Sequence, residues 1–298
     1  MEYRKLGKSD LEISRIGYGC MSLKNEEKEN VRLLQTALNS GINYFDTADI
    51  YDKGANETVV GKAFKENRNK VILATKVGNV WKEDGSGLDW NPSKKHILDA
   101  VEGSLKRLQT DYIDLYQLHG GTIEDNIDET IEAFELLVQQ GKIRYYGISS
   151  IRPNVIREYV AKSTFSSLMV QYSLLDRRSE ETVLPLMEKN NIGVVVRGSL
   201  ASGLLVDKPS KDYLGHSTDA ITQIQKTIAE ISSPGRDATA IALQYIWNNP
   251  AVTSAIVGIR TIAQLKDALV ALESPALSEN EIHKLKEAAP ALTYTQHI

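Results

Sequence analysis

The stretch INYFDTADIYDKGANE, residues 42–57, places a carboxylate, Asp46, at the end of an apolar run and a phenol, Tyr51, in the polar segment beyond it. Two further apolar runs end in a comparable way: KVILATK on the ammonium of Lys76, and YIDLYQLH on the imidazole of His119. Each residue has an ordinary explanation by itself. A strand-end aspartate caps a turn, a loop tyrosine packs, a strand-end lysine reaches solvent, and a lone histidine bonds the backbone. Brought to one place, the four form a proton-donating group. Tyrosine has a reference pKa near ~10, and an adjacent ammonium favours the phenolate and lowers that value towards the working range. The Asp46 carboxylate would hold the Lys76 ammonium in place and keep it charged. A neutral His119 donating a hydrogen bond would orient a substrate carbonyl and stabilise developing negative charge. Such a set protonates an alkoxide. It contains no obvious nucleophile, so the attacking species must come from elsewhere, and a hydride from a nicotinamide fits.

The elements that would bring these groups together are legible as alternation. IGYG, INYF, KVILAT, YIDLYQL, IRYYGI, SLMVQY, IGVVVR and SAIVG are strand candidates, rich in β-branched and aromatic residues. Helical patterns lie between them. Ile97, Val101, Leu105 and Leu108 share one helix face, as do Ile131, Phe134 and Val138 ahead of Gly141, a candidate C-terminal cap. Gly41 closes the helix carrying Val31, Leu34 and Leu38 in the same way. Buried runs separated by helices imply parallel pairing, and eight such units predict an α/β chain closed into a (β/α)8 TIM barrel, residues 1–298 forming a single domain. YRKLGKSDLEISRI reads as an N-terminal β-hairpin turning at residues 7–10 and capping the barrel's bottom. A polar, glycine-rich loop at residues 78–92 interrupts the third unit, and residues 206–217 precede an extra helix. In a barrel of this kind the C-terminal strand ends carry the chemistry, and Asp46, Lys76, His119, Ser149, Gln171, Arg197 and Gly258 all fall there.

Composition narrows the partners. A formal net charge of −4 gives no electrostatic reason to expect nucleic acid or an anionic membrane. Five scattered histidines and the absence of HExxH or CxxC leave no metal signature. The one cysteine, Cys20, forms no intrachain disulfide. With no signal-like start and no apolar run near membrane-spanning length, the expected location is cytoplasmic. Oligomeric state is not readable.

The segments RKLGKSDLEISRIGYG, NYFDTADIYDKGANE, LATK, SLKRLQTDYIDLYQLH, GKIRYYGIS and SAIVGIRTIAQL together resemble the aldo-keto reductases over nearly the whole chain. The resemblance implies an oxidoreductase that reduces aldehyde or ketone carbonyls to alcohols with NADPH/NADP+. Asp46, Tyr51, Lys76 and His119 match the family's tetrad, with Tyr51 as proton donor. The family binds its dinucleotide without a Rossmann fold, in keeping with the absence of GxGxxG here. By the same resemblance, Ser149 and Gln171 bind the carboxamide, and Ser199, Leu200 and Gly203 hold the pyrophosphate. Arg260 and Gln264 lie near the 2′-phosphate and adenine, a guanidinium at a helix start being a suitable phosphate ligand. Gly19, Cys20, Met21, Asp46, Arg197 and Gly258 complete the expected cofactor contacts. Departures are Arg197, where relatives stack an aromatic on the nicotinamide, Ser149-Ser150, Gly120-Gly121 after His119, and Ala268 in place of an asparagine. Trp81 and Trp90 line the substrate pocket or anchor their loop. Two other readings are a cofactor-sensing module of the channel-subunit kind, and a lyase using Lys76 as a Schiff-base amine. Pairing with Asp46 disfavours the lyase because it keeps the amine protonated.

Overall fold

The computed structural model describes residues 1–24 and 26–298. Its strands are β1 (Tyr3–Lys5), β2 (Glu12–Ser14), β3 (Ile16–Gly19), β4 (Tyr44–Asp46), β5 (Ile72–Val77), β6 (Asn79–Trp81) and β7 (Leu88–Trp90). They continue with β8 (Ile113–Leu118), β9 (Ile143–Ser149), β10 (Ser167–Gln171), β11 (Gly193–Arg197) and β12 (Val252–Val257). The first five helices are α1 (Glu27–Asn39), α2 (Ala55–Phe64), α3 (Lys94–Leu108), α4 (Ile127–Gln139) and α5 (Pro153–Lys162). The rest are α6 (Val183–Lys189), α7 (Thr218–Ile231), α8 (Ala238–Trp247), α9 (Ile262–Glu273) and α10 (Glu279–Ala288). Strands β3, β4, β5, β8, β9, β10, β11 and β12 pair in parallel and close on themselves, so the eight-stranded barrel expected from the alternation is present. α7 is the extra helix, placed with α8 in the crossover from β11 to β12.

Strand alternation divides the interior into two sides. Tyr44, Ala74, Leu115, Met169 and Val195 form one cluster inside the barrel, and the hairpin's Leu6, Leu11 and Ile13 pack against it. β1 and β2 therefore plug the bottom, as expected, and Gly7 makes the close approach possible. It has φ +54°, and a β-carbon there would lie 2.4 Å from the Gly193 nitrogen. Neighbouring strand residues such as Phe45, Leu73, Tyr116, Val170, Val194 and Val196 point the other way, into the larger core between strands and helices.

The helix faces follow the expected spacing with one correction. Ile97, Val101 and Leu108 are buried along α3, whose Ser93 hydroxyl caps the start by accepting from the His96 N–H. In α4, however, Val138 is exposed and Leu137 is fully buried. From Phe134 a step of three keeps to the buried face here, while the fourth residue turns outward into solvent. Gly41 and Gly141 do adopt positive φ just beyond their helices. The segment at residues 78–92 is more ordered than a loop. Asn79, Val80 and Trp81 pair antiparallel with Trp90, Asp89 and Leu88, around a tip that contains the left-handed Gly85.

Close helix contact yields a test in which two effects oppose. Gly61 of α2 sits where a β-carbon would come within 2.5 Å of the Arg107 carbonyl oxygen at the end of α3. Propensity alone favours Gly61→Ala by up to ~1 kcal/mol, but overpacking against backbone costs roughly 1–3 kcal/mol. The expected outcome is a lower urea midpoint for Gly61→Ala. A raised midpoint would mean that α3 yields easily.

Candidate active site

Asp46 is the last residue of β4, and Lys76 lies near the end of the neighbouring β5, opposite Gln117 of β8. The Lys76 ammonium donates to Asp46 Oδ1 at 2.5 Å and to the Thr47 carbonyl at 2.7 Å. Asp46 Oδ2 accepts from Gln117 Nε2 at 3.2 Å. The pair is almost wholly buried, with side-chain exposure of 1% for Lys76 and 6% for Asp46. Burial pulls the lysine down, but Asp46 and Tyr51 outweigh it and hold the ammonium above the ordinary lysine value. Burial pushes the Asp46 carboxyl up, opposed by Lys76 and Gln117. The lysine governs the pair, because an ammonium bonded to two oxygens keeps its proton at neutral pH.

Tyr51 opens a short helical turn beyond β4, and its ring centre is 5.2 Å from Lys76 Nζ. Its ring meets that of His119 edge-on, with centroids 6.0 Å apart. His119 follows β8 directly. Burial, with Lys76 and Arg197 nearby, brings its pKa down to about 3, so the imidazole is neutral at physiological pH. Its Nδ1 is buried without a hydrogen-bond partner, the kind of uncompensated polar atom that calls for a functional account.

Tyr51 and His119 line a cavity of about 640 Å³ together with Met21, Trp90, Ser149 and Arg197. The structure thus gathers the four candidate catalytic residues at one mouth. The remaining expected cofactor positions lie along the same rim. Gly19 ends β3, Gln171 ends β10, Ser199, Leu200 and Gly203 follow β11, Gly258 follows β12, and Arg260 and Gln264 flank the start of α9. Cys20 is fully buried, and its carbonyl accepts from Asn56 Nδ2 at 2.8 Å. Ala268 is buried against the core. Trp90 lines the cavity, whereas Trp81 does not and instead anchors its hairpin to the Ile50 carbonyl at 2.9 Å.

Several site residues escaped the sequence reading. Gln117 is the clearest, and its signal was available: it follows Leu115 on the inward side of β8, where a polar side chain must face the barrel's upper interior. Asn79 donates to the His119 carbonyl at 2.7 Å, and Asp176 accepts from Gln171 Nε2 at 2.8 Å. These depend on loop geometry, which spacing does not reveal. Arg197 Nη1 donates to Gln171 Oε1 at 2.7 Å, which fixes the guanidinium at the cavity wall.

The rim also carries a run of left-handed backbone. Gly198, Ala201, Ser202 and Gly203 have positive φ, a backbone run of the sort that turns N–H groups towards an anion. The run follows β11, and α9 follows the paired strand β12, with Thr261 capping the helix and Arg260 preceding it.

A closed (β/α)8 barrel with a buried lysine–aspartate pair, a phenol and an imidazole at its C-terminal mouth defines a class of oxidoreductase barrels. A family model described as the Aldo/keto reductase family matches residues 15–290. The uncharacterized oxidoreductase YqkF of Bacillus subtilis (strain 168) is 51% identical, with 100% of this chain and 99% of the relative covered. Among solved structures, the aldo-keto reductase AKR11C1 from Bacillus halodurans in its holo form is 48% identical, covers 100% of this chain and 99% of its own, and superposes with a TM-score of 0.95. The apo form of AKR11C1 covers the same shares at 47% identity and gives a TM-score of 0.87. The chain belongs to the aldo/keto reductase family.

A neutral buried histidine makes stability depend on acid. The folded-state pKa of His119 is depressed, so its contribution is complete above the unfolded value of ~6.5 and is lost as pH falls towards about 3. Below ~6.5 this one residue should cost up to ~1.4 kcal/mol of stability per pH unit. His119→Gln removes that titration. Urea midpoints at pH 7, 6, 5 and 4 should therefore move progressively in the variant's favour. A constant offset between the two proteins would show that His119 titrates alike in folded and unfolded chains.

Proposed function

We propose that this protein is an NADPH-dependent carbonyl reductase in which Tyr51 donates the proton. The buried Asp46–Lys76 pair beside Tyr51 and His119 is the observation that carries this reading. NADPH, when bound, supplies the hydride to the substrate's carbonyl carbon. As the C=O π bond opens, its oxygen gains negative charge, and the Tyr51 hydroxyl gives that oxygen its proton. The Lys76 ammonium stabilises the phenolate left behind. Neutral His119 orients the carbonyl through its remaining ring N–H without competing as an acid, since with a pKa of about 3 the imidazolium form is essentially absent near neutrality. Asp46 acts through Lys76 and holds the charge in place.

Ser149 and Gln171 are assigned to the nicotinamide carboxamide, with Gly19, Cys20, Met21 and Gly258 shaping the surrounding backbone. The turn bearing Ser199, Leu200 and Gly203 is assigned to the pyrophosphate, and Arg260 and Gln264 to the 2′-phosphate and adenine ends. These assignments follow the family resemblance, and the family membership is supported by the close superposition on AKR11C1. Lys76 is disfavoured as a Schiff-base amine because its bonds to Asp46 and Thr47 keep it protonated. No helix among the described residues is long and apolar enough to cross a membrane.

Oxidation of NADPH and of NADH by the purified protein, with a panel of aldehydes and ketones, tests the reading directly. Turnover with NADPH in preference to NADH is expected. Tyr51→Phe should abolish turnover and leave the dissociation constant for NADPH within a few-fold. Full activity in that variant would remove Tyr51 from the proton transfer.

Arg197 should distinguish the two cofactor forms. Oxidised nicotinamide carries a positive ring and the reduced ring is neutral, so a guanidinium in this position repels only the oxidised form. Two unit charges about 4 Å apart cost up to ~4 kcal/mol at the effective dielectric of a partly wet site, and solvent leaves a fraction of that. Arg197→Tyr should therefore tighten NADP+ more than NADPH. An unchanged ratio of the two dissociation constants would mean that the guanidinium points away from the ring.

A further inference from the structure

The hairpin β6–β7 contributes no proton-transfer group, yet it grips the backbone beside both residues of the proposed proton chemistry. Trp81 Nε1 donates to the carbonyl of Ile50, the residue before Tyr51, at 2.9 Å. The same indole carries the Lys53 ammonium over its ring at 5.5 Å, two residues after Tyr51. Between these contacts the chain is strained: Asp52, Lys53 and Gly54 have φ of 48°, 55° and 88°. Two of the three are not glycine, and consecutive left-handed residues persist only where their surroundings over-determine them. Support from within the turn comes mainly from backbone hydrogen bonds, with the Thr58 hydroxyl also donating to the Gly54 carbonyl at 3.3 Å. The Tyr51 N–H donates to the Ala48 carbonyl and the Lys53 N–H to that of Ile50, both at 3.2 Å. The Ala55 N–H donates to the Tyr51 and Asp52 carbonyls, and the Asp52 side chain makes an exposed ion pair with Lys24 at 3.5 Å.

The other end of β6 reaches the histidine. Asn79 Nδ2 donates to the His119 carbonyl at 2.7 Å. Asn79 and Trp81 are two positions apart on one strand, so they share a face, and that face serves both loops. Trp90, opposite Asn79 in the hairpin, secures the base. Its indole N–H donates to Asp125 at 3.0 Å. Its ring lies so near the backbone that a β-carbon on Gly120, which has φ +141°, would come within 3.2 Å of it. The glycine pair after His119 thus makes room for the hairpin.

We propose that hairpin β6–β7 is a brace that fixes the Tyr51 phenol relative to His119, with Trp81 and Asn79 as its positioning residues. The catalytic part of this proposal rests on the reading of Tyr51 as proton donor. Proton transfer needs heavy atoms within roughly 2.6–3.2 Å, and a misplacement of about 1 Å can cost on the order of 100-fold in rate. The insertion in the third unit therefore sets the donor's position and does more than shape an entrance.

Trp81→Phe keeps an aromatic ring for Lys53 and removes the N–H, and Trp81→Ala removes both. The loss of one hydrogen bond predicts a fall in kcat of about tenfold for Trp81→Phe and a larger fall for Trp81→Ala, with the NADPH dissociation constant unchanged. The solvent deuterium isotope effect on kcat should rise as proton transfer becomes slower. In cofactor-free protein, amide hydrogen exchange should accelerate at residues 51–54 and remain unchanged in the barrel strands. A raised KM with kcat and exchange unmoved would overturn the proposal and make the hairpin a substrate gate. A general rise in exchange would overturn it as well, by making Trp81 a support of the whole fold. The exchange result needs neither cofactor nor turnover. An active Tyr51→Phe would therefore sink the donor reading, and with it the brace's catalytic role, without being mistaken for failure of the brace itself.

Discussion

A lysine ammonium and an aspartate carboxylate lie against each other inside the barrel, with side-chain exposure of 1% and 6%. Removing two such charges from water costs several kcal/mol per ion, which only close contact and complete hydrogen bonding can offset. Here the contact is 2.5 Å, and the Thr47 carbonyl and Gln117 amide take up further bonding capacity. That arrangement demands three neighbouring strands held in fixed register, which an open sheet edge would not guarantee. Closure of the barrel supplies it.

The same register builds the site in layers. Tyr44, Ala74, Leu115, Met169 and Val195 fill the interior with apolar volume over the hairpin plug. Two positions later on the same strands come Asp46, Lys76, Gln117, Gln171 and Arg197. Because strand side chains alternate, each of these faces inward above the apolar layer. A polar ring thus rests on a dry floor. The floor keeps water from beneath the ion pair, and the ring's charge in turn sets the chemistry above it. Burial, together with Lys76 and Arg197, keeps His119 neutral, and in the proposed mechanism the same cationic environment would steady a phenolate on Tyr51.

Loops complete what the strands begin. Tyr51 belongs to a strained turn and His119 to a strand end, and hairpin β6–β7 bonds to the backbone of both neighbourhoods. Arg197 is aligned through Gln171, whose amide is held in turn by Asp176. Placement of the functional groups therefore passes through hydrogen bonds contributed by residues outside the candidate catalytic four.

Alternation of apolar runs with amphipathic stretches was enough, in the sequence, to determine the eight parallel strands, because a buried parallel strand needs a crossover and helices fill it. Strand ends were legible for the same reason, and with them Asp46, Lys76 and His119. The family resemblance added the expectation that Tyr51 donates the proton and the expected cofactor positions. Gln117 was readable in principle from its inward phase on β8. The exposure of Val138 in place of Leu137 was not, since helix spacing permits a step of either three or four and only packing selects one. The hairpin's hold on Ile50 and His119, the burial of the Cys20 thiol and the Arg197–Gln171–Asp176 chain were equally hidden. Each joins segments far apart in the chain or depends on which side of a turn faces the core. Local periodicity encodes how a segment meets its own neighbours, and only closure of the barrel decides which distant backbone atoms a side chain can reach.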